Sequence, residues 1–162
     1  MTTDVLTIDE TPGAAIACDL TGASDTAEER IAEYGRLFAH ALIARDRSAD
    51  AVEFAFAAKA GVAEWVTELA RKESACCPFF SYRVSVHDDR VVWRISSQAG
   101  PAAQATLDEF YAGPERFGDG MAGLLDRLAG RGFVVTAPGP GRLALDDRPP
   151  AILDRIKAAC GC

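Results

Sequence analysis

Residues 80–95 leave little choice of local structure. Phe80, Tyr82, Val84 and Val86 alternate with Ser81, Arg83, Ser85 and His87; after Asp88-Asp89-Arg90 the alternation resumes with Val91, Trp93 and Ile95. A period of two on both sides of a polar turn predicts an antiparallel hairpin with one apolar face. A two-stranded hairpin cannot hold such a face out of water by itself, so the rest of the chain must cover it.

The cover is readable on both sides. Residues 14–20, Ala-Ala-Ile-Ala-Cys-Asp-Leu, read as a short strand. Thr26-Ala-Glu-Glu29 is a capping box, and Ile31, Tyr34, Leu37, Phe38, Ala41 and Leu42 follow at helical spacing, which predicts a helix to about Arg45. Val52, Phe54 and Phe56 alternate with Glu53 and Ala55 as a half-buried strand, broken at Gly61. A second helix carries Val62, Trp65, Val66, Leu69 and Ala70 on one face, and Pro78 ends it. Pro101 opens a third helix with Ala103, Leu107, Phe110 and Tyr111 facing inward. The expected fold class is α+β, a β-α-β-α-β-β-α sandwich with helices on one face of a small sheet.

A second pattern follows Gly113-Pro114. Met121, Leu124, Leu125 and Leu128 mark a short helix stopped by Gly132. Phe133-Val-Val-Thr136, the Pro138-Gly-Pro-Gly141 turn and Arg142-Leu-Ala-Leu145 predict a hairpin, and Pro149-Pro150 starts a final helix through Ile152, Leu153 and Ile156. Charge divides at the same place. Residues 1–112 carry ten basic and eighteen acidic side chains, and residues 113–162 carry seven and six. The expected organisation is therefore an α+β domain over 1–112 and an appended α-β-β-α module over 113–162.

A formal charge of −7 argues against phosphate-backbone binding, and so against a nucleic-acid partner. No run approaches the roughly 18 apolar residues of a membrane helix. Met1-Thr-Thr-Asp-Val has neither the basic start nor the apolar run of a secretory leader, which makes the reducing cytoplasm the expected compartment.

The chemistry of the chain lies in its five cysteines. Cys76 and Cys77 are adjacent at the end of the second helix, and Cys160 and Cys162 form a Cys-Gly-Cys sequence. Seven and eight residues after Leu69, Cys76 and Cys77 fall on the apolar face, one turn beyond Ala70 and Glu73. Small buried cysteines filling space there are one reading. Nucleophilic catalysis fits less well, because a helix C-terminus disfavours the thiolate and Arg71 and Lys72 offset that only in part. His40, off the apolar face, and His87, at the hairpin turn, read as solvated surface, and no Cys-His-Asn or Ser-His-Asp set can be assembled.

A soft cation overcomes the thiolate penalty by driving deprotonation itself. Hg(II), Cu(I) or As(III) would accept two or three sulfurs, whereas Zn(II) would need four donors, such as both pairs together. The predicted ligands are Cys76, Cys77, Cys160 and Cys162, with Glu73 beside them, and the C-terminal dithiol would collect the ion for the helix pair. Cys18, alone in its strand, reads as a core residue rather than a ligand.

Glu73-Ser-Ala-Cys-Cys-Pro-Phe-Phe80, with the Tyr82–Ile95 hairpin and the Pro101 helix, resembles bacterial Cys-Cys-Pro-Phe small proteins associated with heavy-metal regulators of the MerR type. That resemblance spans residues 14–112 and implies metal or metalloid handling with Cys76 and Cys77 as ligands. No helix-turn-helix is present to carry over DNA binding. The Cys160/Cys162 arrangement resembles the C-terminal thiol pair of mercuric reductases. Gly123-Leu-Leu-Asp-Arg-Leu128, Gly132-Phe133, the hairpin through Leu145 and Pro150–Lys157 resemble the TubC-type N-terminal docking domains of peptide synthetases. The position after the first domain and the Cys-Gly-Cys extension depart from that pattern, so it implies protein docking in general.

Two functions of different kinds follow. The first is binding of a thiophilic metal or metalloid ion, by one chain or across a homodimer. The alternative is a non-catalytic docking or accessory protein whose C-terminal module captures a protein partner and whose cysteines are incidental. A thiol–disulfide enzyme ranks below both, because no Cys-x-x-Cys is present.

Overall fold

A computed structural model of the chain describes residues 1–139, 141–146 and 159. The fold is α+β, with a five-stranded antiparallel sheet covered on one face by helices and a three-stranded antiparallel sheet beside it. The strands of the first sheet are β1 (Thr3–Ile8), β3 (Leu42–Arg47), β4 (Ala51–Ala57), β5 (Ser81–Val86) and β6 (Arg90–Ser96), in the order β1-β5-β6-β4-β3. The expected hairpin is its centre, with Val84 opposite Trp93 and Tyr82 opposite Ile95. Val52, Phe54 and Phe56 of β4 continue the same buried face, while Glu53, Arg83 and Arg94 stand on the other.

The covering helices are α1 (Ala27–Ala41), α2 (Val62–Cys76) and α3 (Pro101–Tyr111). The capping box at α1 forms in full: Thr26 Oγ1 accepts from the Glu29 amide at 3.2 Å and Glu29 Oε2 accepts from the Thr26 amide at 2.8 Å. α2 starts after Gly61, whose φ of +82° turns the chain out of β4, and stops before Pro78. Rings fill the space between. Tyr34 stacks on Trp93 at 5.7 Å between centroids, Phe38 lies 5.1 Å from Phe54, and Phe117 meets Tyr34 edge-on at 5.6 Å.

Three features depart from the expected order. α1 ends at Ala41 instead of running to Arg45, and Leu42–Arg47 is a strand paired with β4. Leu42 still fits the helical stripe, but the open edge of β4 offers backbone hydrogen bonds that a further helical turn would forgo. Arg45 then reaches Glu115 at 2.6 Å, and Arg47 reaches Asp108 at 2.9 Å. β1 was not expected; its Thr3-Asp-Val-Leu-Thr-Ile8 sequence pairs with β5 as the other edge. The Gly113-Pro114 joint is helical, as α4 (Gly113–Arg116), and runs through a 3₁₀ turn at Phe117–Asp119 into α5 (Gly120–Gly130). Gly113 is needed there, since a Cβ would come within 2.9 Å of the Phe117 ring.

The second sheet joins distant parts of the chain. Its order is β2 (Ala17–Asp19), β8 (Arg142–Asp146), β7 (Val134–Gly139). The strand expected to belong with residues 1–112 thus pairs with the hairpin of residues 113–162, held also by Leu145 N–H to Ile16 O and Leu20 N–H to Gly141 O, both at 2.8 Å. The helix expected from Pro149-Pro150, Ala159 apart, lies outside the described residues. No described helix is long and apolar enough to cross a membrane.

Candidate functional site

The last turn of α2 gathers the donors. Glu73 and Cys76 lie three residues apart, so their side chains share a face, and Cys77 follows as the C-cap. Its amide donates to Glu73 O at 2.8 Å, the last helical bond of α2, which keeps both sulfurs beside the Glu73 carboxylate. One donor atom from each of Glu73, Cys76 and Cys77 lies within 4.8 Å of the others, and all three residues are buried. The Cys76 and Cys77 sulfurs are 3.3 Å apart.

α1 supplies the counter-charge. Arg30 sits on the buried stripe between Ala27 and Tyr34, and its Nη1 donates to Glu73 Oε1 at 2.8 Å. The same nitrogen lies 3.7 Å from Cys76 Sγ. Asp25 takes the other edge of the guanidinium in a two-pronged pair, at 2.6 and 2.7 Å. The predicted cations do not serve here: Lys72 pairs with Glu33 at 2.9 Å, and Arg71 stands exposed beside Glu68.

This environment holds the cluster near neutrality. Burial raises the Glu73 carboxyl above its ordinary range, against the attraction of Arg30. Burial and then the neighbouring Glu73 push the Cys76 thiol up to about 12, with Arg30 opposing. The hydrogen bond from Arg30 holds Asp25 below the usual carboxylate range. At neutral pH Cys76 is a protonated thiol. It is a poor nucleophile, but its sulfur becomes a ligand once a cation displaces the proton.

Cys18 corrects the sequence reading. It was expected to be a lone core residue, yet β2 places it against the end of α2, where it is disulfide-bonded to Cys77. Cys76 is the free cysteine among the described residues. The site therefore brings together Cys18, Cys76, Cys77 and Glu73, with Cys77 committed to a sulfur–sulfur bond. Cys160 and Cys162 lie outside the described residues.

Sequence reasoning also missed Arg30, Asp25 and Tyr34. For Arg30 a signal was present: a charged residue on the stripe Ala27, Ile31, Tyr34, Leu37, Phe38 must find a buried partner. Tyr34 is 2 % exposed, and its hydroxyl has no hydrogen-bond partner among the described residues. Tyr82 does have one, donating to Cys77 O at 3.1 Å.

Compared with family models, curated proteins and solved structures, the chain matches none.

Proposed function

We propose that the protein binds a thiophilic metal or metalloid ion through Cys76 and Cys77, with Glu73 adjoining. The observation that carries the reading is the buried Glu73-Cys76-Cys77 cluster, whose donor atoms fall within 4.8 Å of one another. Sulfur donors favour Hg(II), As(III) or Cu(I) over harder ions. Reduction of the Cys18–Cys77 bond frees the Cys77 thiol beside that of Cys76, so the reduced site offers two adjacent sulfurs, the number that a dithiolate As(III) or a linear Hg(II) centre takes. The C-terminal dithiol, Cys160 and Cys162, collects the ion and passes it inward by ligand exchange.

The test is a titration of the phosphine-reduced protein with Hg(II), As(III), Cu(I) and Zn(II) while free thiols are counted. A soft ion should protect Cys76 and Cys77 at one equivalent, and C76S/C77S should lose that protection. If Cys76 and Cys77 stay reactive at stoichiometric metal, the reading fails. C160S/C162S should load more slowly than the parent but to the same final affinity; equal loading rates would remove the collector role.

A further inference from the structure

Cys18, Cys76 and Cys77 line a cavity of about 120 Å³ whose other walls come from α1, α2, α3, α5 and both strands of the β7–β8 hairpin. The rest of the wall is hydrocarbon, including Ile16, Leu20, Phe110, Phe117, Leu124 and Leu128. Few polar groups line it, and most are already committed. Arg30 is paired with Glu73 and Asp25, Glu109 accepts from Arg127 Nε at 2.8 Å, and the Thr106 hydroxyl donates to Ala102 O at 2.9 Å. What remains is the sulfurs.

A bare ion uses only the sulfur end of such a space. The hydrocarbon end adds to affinity only when the ligand carries an apolar group to fill it. A dry apolar cavity of about 150 Å³ suffices for benzene, and this one is of that order. On the α5 side it is bounded by the half-buried Met121, Leu124 and Leu125.

We propose that the site takes an organo-substituted soft centre, R–As(III) or R–Hg(II), in which the sulfurs hold the arsenic or mercury and the cavity holds R, up to about the size of a phenyl ring. This rests on the metal-binding reading above and names its ligand class. For arsenic the step is a ligand exchange without redox change. R–As(OH)₂ and the thiols of Cys76 and Cys77 form two As–S bonds, both As–O bonds break, and each thiol proton leaves with a hydroxide as water. Cys77 enters as a thiol after a dithiol reductant has opened its bond to Cys18 by thiol–disulfide exchange, in which the reductant leaves as its own disulfide and its two protons pass to the Cys18 and Cys77 sulfurs. For mercury, R–Hg–Cl and one thiol give R–Hg–S and HCl.

The test is a competition between the phosphine-reduced full-length protein and a small dithiol that has no cavity. Phenylarsonous acid, methylarsonous acid and arsenite are the arsenic probes, and phenylmercuric and methylmercuric chloride the mercury probes. Relative to the free dithiol, the protein should favour phenyl over methyl by about 10- to 100-fold, the range that apolar pocket contacts supply. The series that shows the preference identifies the centre. Leu124→Trp, and separately Met121→Trp in case the first fails to fold, should bring that preference to within about twofold while arsenite binding is kept. A phenyl-to-methyl ratio equal to that of the free dithiol in both series overturns this proposal and leaves ion binding standing. Failure of arsenite, Hg(II) and every organo-substituted probe to protect Cys76 overturns the metal-binding reading itself.

Discussion

The ring-filled core over the five-stranded sheet and the cysteine end beside the three-stranded sheet are built on opposite terms. In the core, Phe54, Phe56, Trp93, Leu37 and Leu69 are fully buried, and the rings interlock. At the cysteine end the chain keeps a cavity and a buried ion-pair triad, each of which costs stability. Stability resides in the first region, and the second spends part of it on a chemically prepared space. Proteins commonly keep such departures from close packing where they bind something.

The widest test of that contrast is cavity formation. Phe54→Ala should lower the unfolding free energy by about 3–5 kcal/mol, because the sheet and helices around it cannot collapse. Leu124→Ala, beside a space that already exists, should cost less than about 2 kcal/mol in the same denaturant titration. Equal losses would mean that the cavity wall is packed as tightly as the core.

The ion-pair triad gives the next largest effect. Arg30→Met strands Glu73 in the interior and should cost about 3 kcal/mol, whereas Arg30→Met with Glu73→Leu should recover most of the loss. A double variant no more stable than the single one would show that the triad holds the fold rather than the site.

The smallest effect is titration of Cys76 in the disulfide-bonded protein. Its thiol is raised from an ordinary 9.0 to about 12, so its contribution to stability is complete below pH 9 and is lost as pH rises from 9 to 12. Between pH 8 and pH 10 the parent should lose about 1 kcal/mol more than Cys76→Ser. Parallel pH profiles would place Cys76 in a more solvated setting than its burial indicates.

How much of this was legible depended on distance along the chain. The β5–β6 hairpin, the α1 cap and the stop at Pro78 are local signals, and each formed where residues 26–29 and 78–95 required. The adjacency of Glu73, Cys76 and Cys77 followed from helical spacing alone. Cys18 did not, because β2 is three residues long and its partner strand is β8. The edge strands β1 and β3 were missed for a related reason. Their pairing is decided by the open edges of β5 and β4, while their own sequences are weakly patterned. The cavity, which has walls from both halves of the chain, leaves no mark on any one segment.

The pairing of β2 with β8 also sets an order of assembly. Residues 17–19 are synthesised early, yet they have no partner strand until residues 142–146 have been made. Closing a loop of that length costs more entropy than forming a hairpin or a helical turn. The wall that carries Cys18 therefore rests on a long loop closure, whereas the turn that carries Cys76 and Cys77 is local. The seat for a ligand is complete only when the second hairpin is docked.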